Sequence, residues 1–300
     1  MVFDISKKER FIFDIVRKCS NDLGIRSYVV GGYVRDRIIG RPTKDMDIVC
    51  IGDGIQLAQA VARSLVPVPR VTTYSRFGTA MIKTKDIEIE FVGARKESYR
   101  YDSRKPLVST GTLEDDQNRR DFTINAMAVS LNASDFGTIL DPFGGFYHIE
   151  KKKIITPLDP EKTFSDDPLR MMRAIRFATQ LKFTIAPETL VAIKKLKHRL
   201  DIVSKERIIA ELNKIISADQ PSVGFKLLFE TGLLGQFFPE MVKLHGVEVR
   251  NGRAHKDNFY HTLQVLDNLS KNTRHLWLRW AAILHDIAKP PTKQIGRAHV

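Results

Sequence analysis

Asp45 and Asp47 flank a single methionine at the start of an apolar run that continues through Ile48-Val49-Cys50. Strand side chains alternate between faces, so residues two apart project together and the two carboxylates converge. Like charges held this close repel unless a cation lies between them. Hard oxygen donors on one face suit Mg²⁺, which accepts one or two carboxylates together with substrate phosphates. Two-metal phosphoryl chemistry requires this arrangement, although an isolated Asp-x-Asp also suits a solvated strand end. Upstream, Gly31-Gly32 closes another apolar run and is followed by Tyr33-Val34-Arg35-Asp36 at a predicted helix start. Glycines there let backbone N–H groups approach an anion, and Arg35 reaches the same phosphates from the first helical turn. An ordinary tight turn with a surface arginine would read the same way. Glu88 and Glu90 alternate along Ile87–Val92 and share a sheet face, so either offers a third metal-directed carboxylate, or both line a polar face.

These residues need a sheet to position them. The first half alternates an amphipathic helix through Phe11 to Cys19, a strand at Ser27–Val30, a helix at Tyr33–Ile39, and strands at Asp47–Ile51, Gly78–Lys83 and Ile87–Val92. Lys83-Thr84-Lys85-Asp86 reads as a hairpin connection, and the whole as one mixed or antiparallel sheet with helices. From Thr163 onward apolar residues recur at helical spacing through Leu169–Leu181, Pro187–Leu200, Lys205–Ile216 and Val223–Leu234. The fold class is therefore α+β, a sheet-and-helix head followed by all-α domains. Glu150–Lys153 and Pro157–Pro160 mark the junction. No repeat or low-complexity tract interrupts it.

Of the 300 residues 43% are hydrophobic, enough for a substantial core and for two or three domains. The 48 Lys and Arg against 35 Asp and Glu leave a net charge of +13, which favours a polyanionic partner through counterion release. RNA, DNA and an acidic membrane all meet that description. The start lacks an apolar stretch of signal-peptide length and no run is long enough to span a bilayer, so a cytoplasmic protein without membrane partners is expected. Cys19 and Cys50 lack metal-ligand spacing and read as two buried thiols.

Further along, Arg119-Arg120-Asp121 precedes Phe122–Ala128, which reads as the opening of an amphipathic helix. Gly111 to Asn118, carrying Glu114, Asp115 and Asp116, reads as a solvated loop rather than a second metal site. Ser165-Asp166-Asp167-Pro168 signals a helix start with a capping side chain and a proline in the first turn. Arg170 and Arg173 share one face of that helix, Asp167 lies one turn before Arg170, and Arg176 continues the row. Either these charges form an ion pair on a solvated surface, or they line a cleft while Leu169, Met172, Ile175 and Phe177 pack on the other side.

GGYVRDRIIGRPTKDMDIV resembles the signature of the polymerase-β-like nucleotidyltransferases of the class II CCA-adding and bacterial poly(A) polymerase group. EDDQNRRDFTINAMA, DPFGG, DDPLRMMRAIRFA and ERIIAEL resemble that group's later motifs in the right order, over a stretch from about Val29 to about Leu212. The resemblance implies a catalytic head at 1–150, a helical neck at 151–216, a helical body at 217–254 and an HD-like region at 255–300. By motif position it implies Asp45 and Asp47 on magnesium and, with Gly31 in the same turn, Gly32 and Arg35 on the triphosphate. It further implies Arg120, Asp121, Asn125, Arg170, Arg173 and Arg176 as nucleotide contacts, Asn125 at the ribose. Its partners would be tRNA, bound at the 3′ end and acceptor arm, with CTP and ATP as substrates. Asp167 accepts only and Arg170 donates only, a pair that would match the amino donor and ring-nitrogen acceptor shared by cytosine and adenine.

His255, His261 and His285-Asp286 resemble the start of an HD phosphohydrolase domain, with helices Leu263–Leu269 and Leu276–Leu284 bringing His261 and His285-Asp286 together. The later aspartate of that family has no counterpart here, so phosphohydrolase activity is not expected. Ile295–Val300 matches the translation of a sequencing-adapter end, and the expectation is a longer native protein whose own sequence here stops near Gln294. The expected activity is addition of CCA to tRNA. The alternatives are a poly(A) polymerase or an enzyme adding only part of CCA, and, from another class, a nonenzymatic RNA-binding protein on an inactive head.

Overall fold

The structure, a computed structural model, describes residues 5–75, 78–85, 87–100, 103–246, 249–250, 253–254 and 257–292, for backbone only at 98–100, 103–107, 249–250, 253–254 and 291–292. The chain divides into two compact units, one formed by Met1–Arg100 and Lys105–Asp159, the other by Tyr101–Arg104 and Pro160–Val300.

In the first unit the order is α1 (Lys7–Asp22), β1 (Arg26–Val30), α2 (Gly32–Ile38), β2 (Asp45–Ile51), α3 (Gly54–Arg63), β3 (Val71–Tyr74), β4 (Thr79–Lys83) and β5 (Glu88–Gly93). β6 (Arg95–Arg100), β7 (Ser103–Thr110), α4 (Leu113–Asn118), a 3₁₀ turn at Thr123–Asn125, β8 (Ala128–Ser130), β9 (Ile139–Leu140) and α5 (Gly145–Glu150) follow. Seven strands form one sheet in the order β3-β4-β5-β2-β1-β8-β9. It is mixed: β2 and β5 are parallel, and β1–β2, β1–β8, β3–β4, β4–β5 and β8–β9 are antiparallel.

Alternation along β2 sends Met46, Ile48 and Cys50 to one face, where they join Val29, Ile89 and Phe91 beneath α1 and α3. Full burial of side chains such as Ile48 and Phe91 contributes roughly 1.5–3 kcal/mol each. The opposite face carries Asp45 and Asp47 at one end. Farther along it closes with a cluster of Tyr28, Val30, Val49, Ala94 and Ala128, against which Leu113 and Leu140 pack. The carboxylates thus stand at the rim of an apolar floor. Helix ends follow local rules: Ser6 and Glu9 form a capping box on α1, and Asp53 caps α3 through Ile55 N and Gln56 N. Cys19 and Cys50 are free and buried, and burial pushes the Cys50 thiol up to about 12.

The second unit is helical: α6 (Pro160–Asp166), α7 (Leu169–Leu181), α8 (Pro187–Leu196), a 3₁₀ turn at Lys197–Ile202, α9 (Lys205–Ile216), α10 (Pro221–Glu230), α11 (Leu234–Phe237), α12 (Pro239–Val242), α13 (Asn258–Asn272), α14 (Leu276–Leu284) and α15 (Lys289–Thr292). Arg279, only 2% exposed, binds them from within. Its guanidinium donates to Ile216 O and Ala218 O at the end of α9 and to Ser270 O and Thr273 O at the end of α13. A cation there satisfies carbonyls that lack intrahelical partners and complements both helix dipoles. Among the described residues no helix is long and apolar enough to cross a membrane.

Five expectations are corrected. Residues 113–118 are a helix rather than a loop, because Thr112 and Asp115 form a capping box, and Asp116 is buried rather than solvated. Residues 122–128 make a single 3₁₀ turn and then enter β8 instead of opening a helix. Phe122, Ile124, Met127 and Ala128 are all buried, so no periodicity marks an outer side. The pattern from 187 to 200 is α8 and a 3₁₀ turn, and that from 223 to 234 is α10 ending at Glu230 with α11 after it. Finally, α6 runs through Asp166, so α7 starts with Pro168 at its cap position, and it is Asp167 whose carboxylate accepts from Leu169 N at 3.2 Å.

Candidate active site

β1 ends in Val30, which pairs with Asp47 across β2, and the chain turns at once through Gly31 into α2. Gly31 has φ +75° and ψ −138°, a conformation that side chains disfavour. A Cβ there would lie 2.9 Å from Arg120 Nη1 and 3.3 Å from Asp47 Oδ2. The turn, an aspartate and an arginine therefore meet at one point. α2 is tied down by Tyr33, whose hydroxyl donates to Glu9 Oε1 at 2.7 Å, with Arg37 3.5 Å from the other Glu9 oxygen.

On the sheet, Asp45 is the register partner of Glu88 and Asp47 that of Glu90. Partners across a pair share a face, so four carboxylates stand at one end of it. They are not equivalent. Glu88 is ion-paired with its cross-strand neighbour Lys83, whereas the Glu90 carboxyl is raised above the ordinary carboxylate range by desolvation and then by the charge of Asp47. The smaller, Asp47 part of that elevation is a repulsion between like charges that a cation would relieve. The donor set fits a hard divalent ion, with Asp45 and Asp47 as the residues that would hold it.

Arg35, 7% exposed, donates Nε and Nη2 to the two oxygens of Asp36 at 3.0 and 2.9 Å and Nη1 to Asn125 Oδ1 at 2.5 Å. Asn125 Nδ2 donates to Asp121 Oδ1 at 2.9 Å, and the same oxygen accepts from Phe122 N. Arg120 gives Nε and Nη2 to Asp116 and Nη1 to Asn125 O. Gly31, Gly32, Arg35, Asp47, Arg120, Asp121 and Asn125 are thus one connected set within the first unit.

The Asp141-Pro142-Phe143-Gly144-Gly145 segment supports that set from behind. Asp141 accepts from Gly145 N and Phe146 N at the start of α5, and His148 Nδ1 lies 2.9 Å from Thr123 Oγ1. A Cβ on Gly145 would stand 2.4 Å from the Thr123 carbonyl oxygen, so only glycine lets α5 abut the turn that carries Asn125. Gln117 Nε2 holds the turn from the other side through Ala126 O at 2.8 Å. Sequence reasoning assigns no role to Asp36, Gln117 or His148, and its reading of Asp116 as part of a solvated run is overturned by that residue's burial. The Asp116 to Arg119 and Arg120 spacings of three and four residues on a helix were the available signal.

In the second unit, Arg170 is 9% exposed and donates Nη1 to Thr163 O at 3.3 Å, while Asp167 Oδ2 lies 3.7 Å from Arg207. Arg176 donates Nε to Glu211 Oε2 at 2.5 Å and stacks 3.9 Å above the Phe177 ring, which Arg173 also overlies at 5.4 Å. The expectation that packing residues occupy one side of α7 and leave the charged side open is corrected: Met171 and Ala174 are buried as well, and Arg176 is spent on an ion pair to α9. Glu211 is held below the ordinary carboxylate range, burial pushing it up and the charge of Arg176, helped by Lys214 and Arg173, pulling it down further.

As the spacing predicts, α13 and α14 bring His261, His285 and Asp286 together, one ligand atom from each lying within 4.8 Å of the others. Lys289 Nζ stands 2.6 Å from Asp286 Oδ2, so an ammonium neutralises that carboxylate. His255 and residues 293–300 lie outside the described residues.

Known proteins show the same succession of parts. Residues 27–155 match the Poly A polymerase head domain, 182–244 the probable RNA and SrmB-binding site of polymerase A, and 258–300 the HD domain. The A-adding tRNA nucleotidyltransferase of Aquifex aeolicus (strain VF5) is 38% identical over 198 residues, 65% of this chain and 24% of that protein. The multifunctional CCA protein of Methylococcus capsulatus (strain ATCC 33009 / NCIMB 11132 / Bath) is 33% identical over 279 residues, 89% of this chain and 62% of that protein. The chain thus spans from about a quarter to under two thirds of the length of these relatives. Among solved structures, a tRNA nucleotidyltransferase complexed with a primer tRNA and an incoming ATP analog superposes with a TM-score of 0.70 at 28% identity, over 90% of this chain and 75% of that one. With head, RNA-binding and HD segments matched in this order, and the motif residues of the head drawn into one connected set, the chain belongs to the CCA-adding enzyme and poly(A) polymerase family.

Proposed function

We propose that this chain transfers CMP and AMP from CTP and ATP to the 3′ end of tRNA, without a nucleic-acid template and with Mg²⁺. The observation that carries the reading is the meeting of Asp47, the Gly31 turn and Arg120 at one point beside Asp45 and Glu90. In this reading the terminal 3′ hydroxyl of the RNA attacks the α-phosphorus and pyrophosphate departs. Asp45 and Asp47 hold the metal, which when bound offsets charge on the phosphates and activates the hydroxyl. Arg120 faces the triphosphate at the Gly31 turn, and Arg35, fixed by Asp36, holds Asn125 in place for the ribose. The net charge of +13 serves the tRNA backbone.

Asp167 and Arg170 are the base selectors, an acceptor and a donor that suit cytosine and adenine and set a carbonyl oxygen of uracil or guanine against a carboxylate. The division of the helical part into a neck at 151–216, a body at 217–254 and an HD-like region at 255–300 belongs to the same proposal.

The test is incubation with tRNA ending before CCA, or ending in CC, and each nucleotide singly. Incorporation of C from CTP alone and then of one A supports full CCA addition. Growth only on tRNA ending in CC would assign A-addition, the activity named for the Aquifex aeolicus relative, and long A tails a poly(A) polymerase. Tight tRNA binding with no incorporation would leave a nonenzymatic RNA-binding protein.

A further inference from the structure

Asp116 on α4 has no exposed surface, and its two oxygens are divided between two arginines. Oδ1 accepts from Arg119 Nε at 3.0 Å and from Arg119 Nη2; Oδ2 accepts from Arg120 Nε at 3.0 Å and Arg120 Nη2 at 2.8 Å. Arg119 Nη1 continues to Glu97 Oε1 at 3.3 Å, and Glu97 pairs with Arg95 at 2.8 Å. Five groups of alternating sign therefore run from β6 to Arg120. Burial pushes the Asp116 carboxyl up, but the charges of Arg120 and Arg119 outweigh it and hold it below its ordinary range, so it is an anion at neutral pH.

The geometry gives that anion a task. A planar guanidinium gripped at Nε and Nη2 has its third nitrogen fixed in direction. Arg120 Nη1 lies 2.9 Å from the place a Gly31 Cβ would occupy, and Asp47 Oδ2 lies 3.3 Å from it. The hydrogen bond from Nη1 to Asn125 O at 3.3 Å uses one of its two hydrogens. Without the grip, a long side chain with many rotamers would have to be ordered by the ligand itself.

We propose that Asp116 is a positioning residue, which aims Arg120 Nη1 at the phosphates of a nucleoside triphosphate lodged at the Gly31 turn. The inference rests on the nucleotidyltransferase reading above and assigns one determinant of triphosphate recognition within it. Because the proposal sets Arg120 against the outer phosphates of the triphosphate, which CMP lacks, Asp116 should act on CTP and not on CMP.

Equilibrium binding of CTP and of CMP to wild type, Asp116→Asn and Arg120→Lys tests this, with thermal unfolding run on each. Asparagine keeps the shape but turns an amino group toward one guanidinium, and lysine keeps the charge but lacks the fork. Both variants are expected to bind CTP about tenfold or more weaker, the scale of a charge-assisted hydrogen bond, and CMP within a few-fold of wild type. A folded Asp116→Asn protein with the wild-type ratio of CTP to CMP affinity overturns the proposal, since a purely structural role would lower the melting temperature and leave that ratio alone. If Asp116→Asn does not fold, Arg120→Lys decides, and an unchanged ratio there overturns it equally. A wild-type protein that does not prefer CTP to CMP would instead overturn the nucleotidyltransferase reading on which the inference stands.

Discussion

Asp47 and Glu90 are direct neighbours across the parallel β2–β5 pairing. Glu88, one strand-repeat away, is ion-paired with Lys83, whereas burial and then the charge of Asp47 raise the Glu90 carboxyl. Like charges placed side by side cost folding free energy, and such perturbed groups cluster at functional sites.

On the proposed function, replacing Asp45 or Asp47 with alanine is expected to abolish nucleotide addition and to leave tRNA affinity within a few-fold, because that reading gives the carboxylates to the reaction and the RNA to basic residues. Single-turnover rates and filter-binding affinities measured on the same preparations check this. Near-normal turnover in either variant would remove both residues from the catalytic assignment.

Asp167→Ala and Arg170→Ala are expected to lose the preference for CTP and ATP over UTP and GTP. A charge-assisted bond lost and a repulsion removed amount to about 3 kcal/mol, on the order of a hundredfold in kcat/KM discrimination. If these residues serve only their contacts to Leu169, Thr163 and Arg207, folded variants will keep the wild-type ranking of the four nucleotides.

Glu211 sets a pH dependence. Its folded pKa is depressed, so the Arg176–Glu211 pair contributes stability that is fully present above the unfolded value of about 4.3 and is lost as pH falls through the folded value. Glu211→Gln is expected to be less stable than wild type at pH 7 by about 2 kcal/mol, with the gap narrowing below about pH 4. Urea unfolding across that range checks it, and a gap that does not change with pH would mean that the lost contact is not ionic.

Arg279→Met should be among the most damaging single changes in the helical unit. Four carbonyls at the ends of α9 and α13 lose their donor together, which costs about 3 kcal/mol or more and on the order of 10 °C in Tm. Differential scanning calorimetry measures it. A shift of a degree or two would show that water replaces the guanidinium.

What the sequence discloses depends on whether a residue's role is local. The face shared by Asp45 and Asp47 follows from a period of two, and helices Leu169–Leu181 and Lys205–Ile216 follow from apolar spacing, so these were legible with their bounds. The Thr123–Asn125 turn was not: it is buried on every side and is shaped by Gly145 and Gln117, which lie elsewhere in the chain. Asp116 was hidden for another reason. A run of three acidic residues resembles a solvated loop, and only the contacts show that its last member is the shared counter-ion of two arginines. The partition of Glu88 from Glu90 likewise needed the β4–β5 register, which places Lys83 beside the former.

The parallel pairing of β2 with β5 sets when the site can come into being as well as where it lies. α3, β3 and β4 all intervene in the chain between Asp47 and Glu90, and α4 and its connections precede Arg120. Contacts this distant in sequence form late, after loop-closure entropy has been overcome. The full set of four carboxylates is therefore a property of the completed sheet. Opening that separates β5 from β2 would remove Glu88 and Glu90 while leaving Asp45 and Asp47 together on β2, and hydrogen exchange at the amides of β5 should report that loss.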